Sequence, residues 1–469
     1  MRTTAQEVAA ALRERFHGDM LQPGDLGFLQ ASSIWNGMVQ RTPGVVLRCA
    51  DVADIRAAVR AASAAGALTA VRCGGHSLAG FGTCHDGVVI DLSRLRGVAV
   101  DEPRRSARAQ GGCLLGTIDD ATQCFGLVFP SGVVSHTGAS GLILGGGTGW
   151  LTRLLGLSCD NVEGFTLISA DGSLVRARVD ENPDLFWALR GGGGNFGIVT
   201  EFELKLHPLK SVLLCTAWRF GDDIYRVLRF WRDFMPQAPD ELKWNISLRV
   251  APRSPDIPSQ LFGQPCSSES IVWAGDETVG GRYLKQILGF GDPLAIKKGV
   301  VPFLRLQTMA DTEFPHGSRY YTKSGYFSSL QDESIDRMIK SFDSSPSSEN
   351  QLELAFFGGA AGKLSETETA FGDRSTPFIM NLLGHWTDPF ADAANVAWVR
   401  TLFTSLRPEM KSGVYVNFMS GDEQNRVPEA YGRRWQRLLR VKRAYDPQNF
   451  FHLNQNIAAT NPAPATVGF

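Results

Sequence analysis

The chain has 469 residues, 43% of them hydrophobic and 20% charged, with a formal net charge of −1 at pH 7. That is ample for a large core and more than one domain, and it offers no basic face for nucleic acid or an anionic membrane. Eight cysteines (49, 73, 84, 113, 124, 159, 215, 266) form no CxxC pair and have no histidine pair nearby, which argues against a metal site or disulfide framework and for free thiols in a cytoplasmic setting.

The opening MRTTAQEVAAALRERF reads as a charged amphipathic helix without a signal-peptide core, and no apolar run approaches the roughly 20 residues of a membrane span. Val45-Val46-Leu47-Arg48 reads as a strand. Asp51 caps a helix with Val52, Ile55, Val59 and Ala62 at helical spacing, and Gly66 ends it. Strands at Leu68–Arg72 and Gly87–Leu92 complete a β-α-β-loop-β unit, which presents residues 72–82 at a strand end, where α/β units bind ligands. In that turn, VRCGGHSLAGFG, Gly74, Gly75, Gly80 and Gly82 let backbone N–H groups approach an anion such as a pyrophosphate. His76 reads as an accessible, rigidly held nucleophile suited to covalent attachment of a cofactor. The bland alternative is a glycine-rich loop with a surface histidine.

A second unit starts near Ser106, with a helix from about Leu115 to Phe125. Between Gly132 and Gly149 seven glycines fall, both ends counted, as expected of a chain wrapped closely around a large flat group. In DLFWALRGGGGNFGIVT, residues 184–200, a short helix breaks at four glycines before a β-rich run. None of these segments is GxGxxG opening a helix, and no GxxxxGK[ST] occurs, so neither a Rossmann site nor a nucleotide triphosphatase is supported.

From about Ser211 the pattern changes to β-runs at 212–214, 248–250, 271–273 and 351–356, with helices near 223–236 and 331–342 and a Pro/Ser-rich loop at 252–270. That is an antiparallel sheet backed by helices. Strand alternation puts Gln351, Glu353 and Ala355 on one face; Tyr320, Tyr321, Lys323, Asn381 and His385 are weaker substrate-side candidates. Gly413–Phe418 reads as a strand, and a helix from about Glu429 to Lys442 carries Tyr431, Trp435 and Leu438 as core.

Taken in order, the His76 turn, GLILGGGTGWLTRLLGLSCDN, DLFWALRGGGGNFGIVT and the ending YDPQNFFHLNQNI resemble the berberine-bridge-enzyme-like flavin oxidases, of the wider vanillyl-alcohol-oxidase type, bacterial members in particular. The resemblance covers about residues 30–210 and 410–458. It implies an α+β protein: a PCMH-type FAD-binding domain of two α/β subdomains (1–210), a substrate domain whose antiparallel sheet roofs the flavin (211–410), and a C-terminal segment returning to the FAD domain (411–469). It implies FAD bonded through His76. Arg72, Cys73, Gly74, Gly75, Ser77 and Gly80 would hold the pyrophosphate side, and Thr137, Gly138, Ser140, Gly141, Gly145 and Gly147 would run along the ring and ribityl chain. Gly197, Ile198, Asn454 and Asn456 would close the cleft. Doubly attached members carry a cysteine where this chain has Val134, so a single linkage is expected. Tyr415, in a Tyr-x-Asn motif, is the expected base, and Glu353 a polarising or anchoring group. The implied reaction takes a hydride from a C–H beside an alcohol or amine of a small molecule, with dioxygen as acceptor and hydrogen peroxide as product, in a monomer or homodimer. A dehydrogenase using another acceptor, a non-redox flavoprotein, and a binding module without flavin are the alternatives.

Overall fold

The computed structural model describes residues 3–458 except Asp256 and Glu366; the outermost residues of the first and last expected segments, 1–2 and 459–469, lie outside the described residues. The first unit folds as its spacing requires. The Asp51 carboxylate accepts the Asp54 N–H at 2.9 Å and starts the helix Val52–Ala64, which Gly66 ends in a left-handed turn at φ +58°. Its buried stripe, Ile55, Ala58, Val59 and Ala62, packs on Val45, Leu47, Val88 and Ile90, each large aliphatic stabilising by about 1.5–3 kcal/mol. Strands Val45–Arg48, Val88–Asp91 and Thr69–Arg72 are parallel in that order, with Asp19–Leu21 antiparallel on the edge. Thr69–Arg72 delivers the His76 turn from its C-terminal end.

The second sheet has the order Val98–Asp101, Ser106–Gln110, Ile198–Lys205, Val162–Ile168, Leu174–Arg178, and every pairing is antiparallel. Its core, which includes Phe165, Phe186 and Phe202, also takes in Val414, Tyr415, Tyr431 and Leu438 from the end of the chain.

The third sheet has seven antiparallel strands, in the order Ala295–Pro302, Ser211–Phe220, Pro265–Trp273, Leu242–Val250, Gln351–Phe356, Phe378–Trp386, Arg319–Phe327. One face is covered by the helices Asp222–Phe234, Glu277–Leu288, Asp332–Ser341 and Asp392–Leu406 around Trp231 and Trp244. The expected loop over 252–270 is therefore too long. Its last residues, PCSSES, pair along 245–250, where Ser268 and Ser270 face the cavity and Glu269, on the opposite face, pairs with Arg219.

Gly413–Phe418 is not a strand. Val416–Phe418 is a single 3-10 turn, because Tyr415 and Asn417 both reach back to the 142–147 segment and no ladder partner among the described residues runs alongside. The exit helix is two pieces, Val427–Tyr431 and Trp435–Tyr445, broken at Gly432 with φ +50°. Buried arginines tie the sheets together. Arg374 pairs with Asp160 at 2.6 and 2.9 Å, and Arg153 donates to the carbonyls of Ala238, Pro239 and Leu242. Among the described residues no helix is long and apolar enough to cross a membrane, and all eight cysteines are free.

Candidate active site

A cavity of about 520 Å³ lies between the first two sheets and the third. Its floor begins at the turn after Thr69–Arg72. Arg72 is fixed by Asp91 at 2.5 Å and by the Ser33 carbonyl at 3.2 Å, which sets the direction in which the chain leaves the strand. Gly74 then meets Gly138 backbone to backbone: a Cβ on Gly74 would stand 2.3 Å from the Gly138 nitrogen, and one on Gly138 equally close to the Gly74 nitrogen. Only glycine at both positions lets the two expected cofactor loops touch. Burial pushes the Cys73 thiol up to about 11, so that side chain is a neutral hydrogen-bond donor, to the Cys113 carbonyl, and no nucleophile.

His76 is half-buried rather than freely accessible, and it is not a lone histidine. Its Nε2 lies 2.7 Å from His136 Nδ1, its Nδ1 lies 3.5 Å from Thr137 Oγ1, and Trp35 stacks on the ring at 4.9 Å. Burial first, then His136 and His316, hold its pKa well below the usual histidine value, so the ring is neutral.

At the other end, Tyr415 Oη accepts the Gly147 N–H at 2.9 Å and the Asn417 amide at 2.8 Å. Gly147 sits at φ +84°, and a Cβ there would strike Ser158 Oγ at 2.2 Å, so glycine is required for the amide to point at the phenol. Burial raises the Tyr415 pKa above that of a free phenol, and the Gly147 and Asn417 donors oppose it.

The roof is the open face of the third sheet. Register brings Ser268, Ser247, Glu353, Asn381 and Ser324 into one row across five strands. Asn245 donates to Glu353 Oε1 at 2.6 Å and keeps its own Oδ1 without a partner. Burial raises the Glu353 pKa against the opposing influence of Lys243; burial lowers Lys243 to about 8. Lys243 lines the cavity at 7% exposure and makes no hydrogen bond or ion pair among the described residues.

Of the expected cofactor residues, Arg72, Cys73, Gly74, Gly75, His76, Ser77, Thr137, Gly138, Ser140, Gly141, Gly197, Ile198 and Asn454 line this one cavity, as do Tyr415 and Glu353. Gly80, Gly145, Gly147 and Asn456 do not. Gly80 abuts Val39, Gly145 makes room for the Asn417 amide, and Gly147, packed against Ser158, donates its amide to Tyr415. Asn456 is buried one layer out, with both amide atoms unpartnered. Gln351, Ala355 and Asn381 reach the cavity. Tyr321 and Lys323 instead bind Asp422, and Tyr320 stacks between Trp35 and His385. Sequence reading missed Lys243, Asn245, Ser247 and Arg249, although their alternation on one strand is visible in LKWNISLRV. It also missed His136 and His316, which nothing local connects to His76.

A family model described as an FAD binding domain matches residues 43–178, and one described as berberine and berberine like matches residues 414–458. An FAD-linked oxidoreductase of Dictyostelium discoideum is 30% identical over 462 residues, covering 97% of each chain. The chain belongs to the berberine-bridge-enzyme-like FAD-linked oxidoreductases. Among other relatives of this berberine-bridge-enzyme-like protein, (R)-6-hydroxynicotine oxidase of Paenarthrobacter nicotinovorans is 38% identical over 197 residues, 42% of this chain and 43% of that one. The crystal structure of 6-hydroxy-D-nicotine oxidase from Arthrobacter nicotinovorans superposes with a TM-score of 0.86 at 26% identity, over 95% of this chain and 98% of that one. Wild-type Physcomitrella patens BBE-like 1 shares the fold, with a TM-score of 0.86 at 22% identity over 98% and 100% of the two chains. The residues present in this berberine-bridge-enzyme-like chain fit an FAD: the Gly74–Gly138 contact keeps side chains off the floor, and Asn454 Oδ1 is buried and unpartnered in the cavity wall.

Proposed function

We propose that the protein is an FAD-linked oxidase that removes a hydride from a C–H beside a hydroxyl or amine of a small molecule, with the flavin bonded to His76 alone and dioxygen as electron acceptor. Segment 1–210 and the return from 411 would hold the cofactor, and segment 211–410 the substrate. The observation that carries the reading is Tyr415, whose hydroxyl is gripped by two donors in the cavity wall and donates to no described residue.

Bound FAD would supply a two-electron acceptor. The chain's own work is proton handling and orientation. To act as base, Tyr415 must first lose its proton, and the Gly147 and Asn417 donors stabilise the phenolate that burial disfavours. Glu353, held by Asn245, and Asn381 present oxygens that can accept hydrogen bonds from substrate O–H or N–H groups, which orients the reacting carbon. Val134 lies in the cavity wall where doubly linked relatives have a cysteine, which supports attachment through His76 only. Eight free thiols support a cytoplasmic setting.

Anaerobic mixing with a panel of alcohols and amines is expected to bleach the flavin with at least one of them, and air to restore the colour with release of peroxide. A flavin that no substrate reduces, or that is reduced and then ignores oxygen, would count against the oxidase reading. Intact mass of the wild type and of His76→Ala tests the linkage.

A further inference from the structure

Three histidines distant in sequence meet where His76 lines the cavity. His76 Nε2 is 2.7 Å from His136 Nδ1, and the His316 ring lies 5.0 Å from that of His136 and 5.3 Å from that of His76. A shared tetrahedral metal with bonds of about 2.0–2.1 Å would hold its ligand nitrogens about 3.3 Å apart. The 2.7 Å contact is instead a hydrogen bond, and a hydrogen bond between two imidazole nitrogens needs one proton between them.

That proton has two placements. On His136 Nδ1, it leaves neutral His76 protonated at Nδ1, with no lone pair to offer there. On His76 Nε2, it leaves His76 Nδ1 bare and nucleophilic, beside Thr137 Oγ1. Trp35, itself stacked on Tyr320 at 3.7 Å, fixes the ring plane, so the choice rests with His136.

We propose that His136 is the proton acceptor that activates His76 for bonding to the flavin, an inference that rests on the linkage proposed above. Attachment replaces one C–H of the 8α-methyl group by a C–N bond. Nδ1 of His76 supplies the electron pair of the new bond while its Nε2 proton crosses to His136 Nδ1. The methyl proton leaves to solvent, and the C–H electron pair remains on the isoalloxazine until dioxygen takes it up. The sum is one imidazole N–H, one methyl C–H and one O₂ giving one C–N bond and one H₂O₂. His136 thus acts through His76 as a positioning and proton-accepting residue, separate from turnover.

The test uses the full chain produced under riboflavin limitation, then given FAD in air, with covalent flavin followed by intact mass and by fluorescence of the denatured polypeptide. His136→Ala and His136→Gln are expected to bind FAD but attach it about 100-fold more slowly or worse, the ordinary scale of a lost proton acceptor. Added imidazole should restore attachment to His136→Ala and not to His76→Ala. His316→Ala, which leaves the 2.7 Å contact in place, should attach at the wild-type rate. Wild-type rates in both His136 variants overturn the proposal. So does a loss that imidazole does not repair, or a loss produced by His316→Ala. If the linkage reading itself is wrong, the sign is different: the wild type releases all its flavin on denaturation.

Discussion

Gly147 donates its amide to Tyr415 Oη at 2.9 Å, and the same oxygen accepts from Asn417, so a glycine of the 132–149 tract and a residue 268 positions later are built as one unit. Two donors on one phenol favour its anion, and the surrounding burial opposes them. The rate of flavin reduction by substrate is therefore expected to rise with pH in the wild type. Tyr415→Phe should lower it about 100-fold or more and flatten that rise, with flavin content unchanged. Asn417→Ala removes one of the two donors to Tyr415 Oη, together with the bond to the Leu142 carbonyl, but leaves the Gly147 donor in place, and should cost less than Tyr415→Phe. Equal rates in wild type and Tyr415→Phe, by anaerobic stopped-flow, would move the base elsewhere.

Gly74 and Gly138 make a second prediction, about stability and cofactor retention rather than turnover. A methyl group at Gly74 would sit 2.3 Å from backbone nitrogen, and backbone cannot swing aside as a side-chain tip can. Gly74→Ala should destabilise by about 1–3 kcal/mol, the usual scale of overpacking, and lower the flavin-to-protein ratio on purification. Gly299, on the edge strand Ala295–Pro302 and with nothing within 4 Å of a Cβ, is the control: Gly299→Ala should leave the flavin-to-protein ratio unchanged.

These two pairs explain how much of the protein could be read from its sequence. The cofactor side was legible because the close approach of Gly74 to Gly138 and the positive φ of Gly147 each demand glycine, and that demand shows in the sequence as glycine itself. The roof was less legible. Ser268, Ser247, Glu353, Asn381 and Ser324 form a row only through register across five strands, and no strand on its own reveals it. Arg319–Phe327 is buried along its whole length, so it lacks the alternation that marks a half-exposed strand. Gly413–Phe418 misled for the opposite reason: its alternating apolar residues look like a strand, but Tyr415 and Asn417 are tethered to the 142–147 segment instead.

Arg153 supports the roof from below. Its guanidinium donates to three carbonyls, of Ala238, Pro239 and Leu242, where the strand Leu242–Val250 begins, and the side chain is 2% exposed. Arg153→Met keeps much of the stem packing and strands those three acceptors. A loss of about 3 kcal/mol is expected in equilibrium denaturation, since bonds from a charged donor are worth about 1.5–3 kcal/mol each and do not add. A change within about 0.5 kcal/mol, the range of an ordinary surface substitution, would show that the carbonyls find other partners.

Lys243 is a buried cation of the roof with no bonded partner among the described residues, and its pH behaviour can be worked out with sign. Burial lowers its pKa from 10.5 to about 8. Between those two values the unfolded chain holds more protons at this site than the folded one, so stability rises as pH climbs from about 8 toward 10.5. Below about 8 both states are protonated and the folded state carries the whole desolvation cost, on the order of 3 kcal/mol. Lys243→Met removes that cost. Glu353 then loses the cation that lowers its pKa, but it can take up a proton rather than stay charged and buried. The variant is therefore expected to melt higher than the wild type at pH 7, with the difference shrinking above pH 8. If Lys243 also meets the substrate, the wild-type profile of kcat/KM carries an ionisation near 8 that Lys243→Met lacks. A variant that is less stable at pH 7 would mean that the ammonium is paired in solution and that its partner, left alone, is the larger cost.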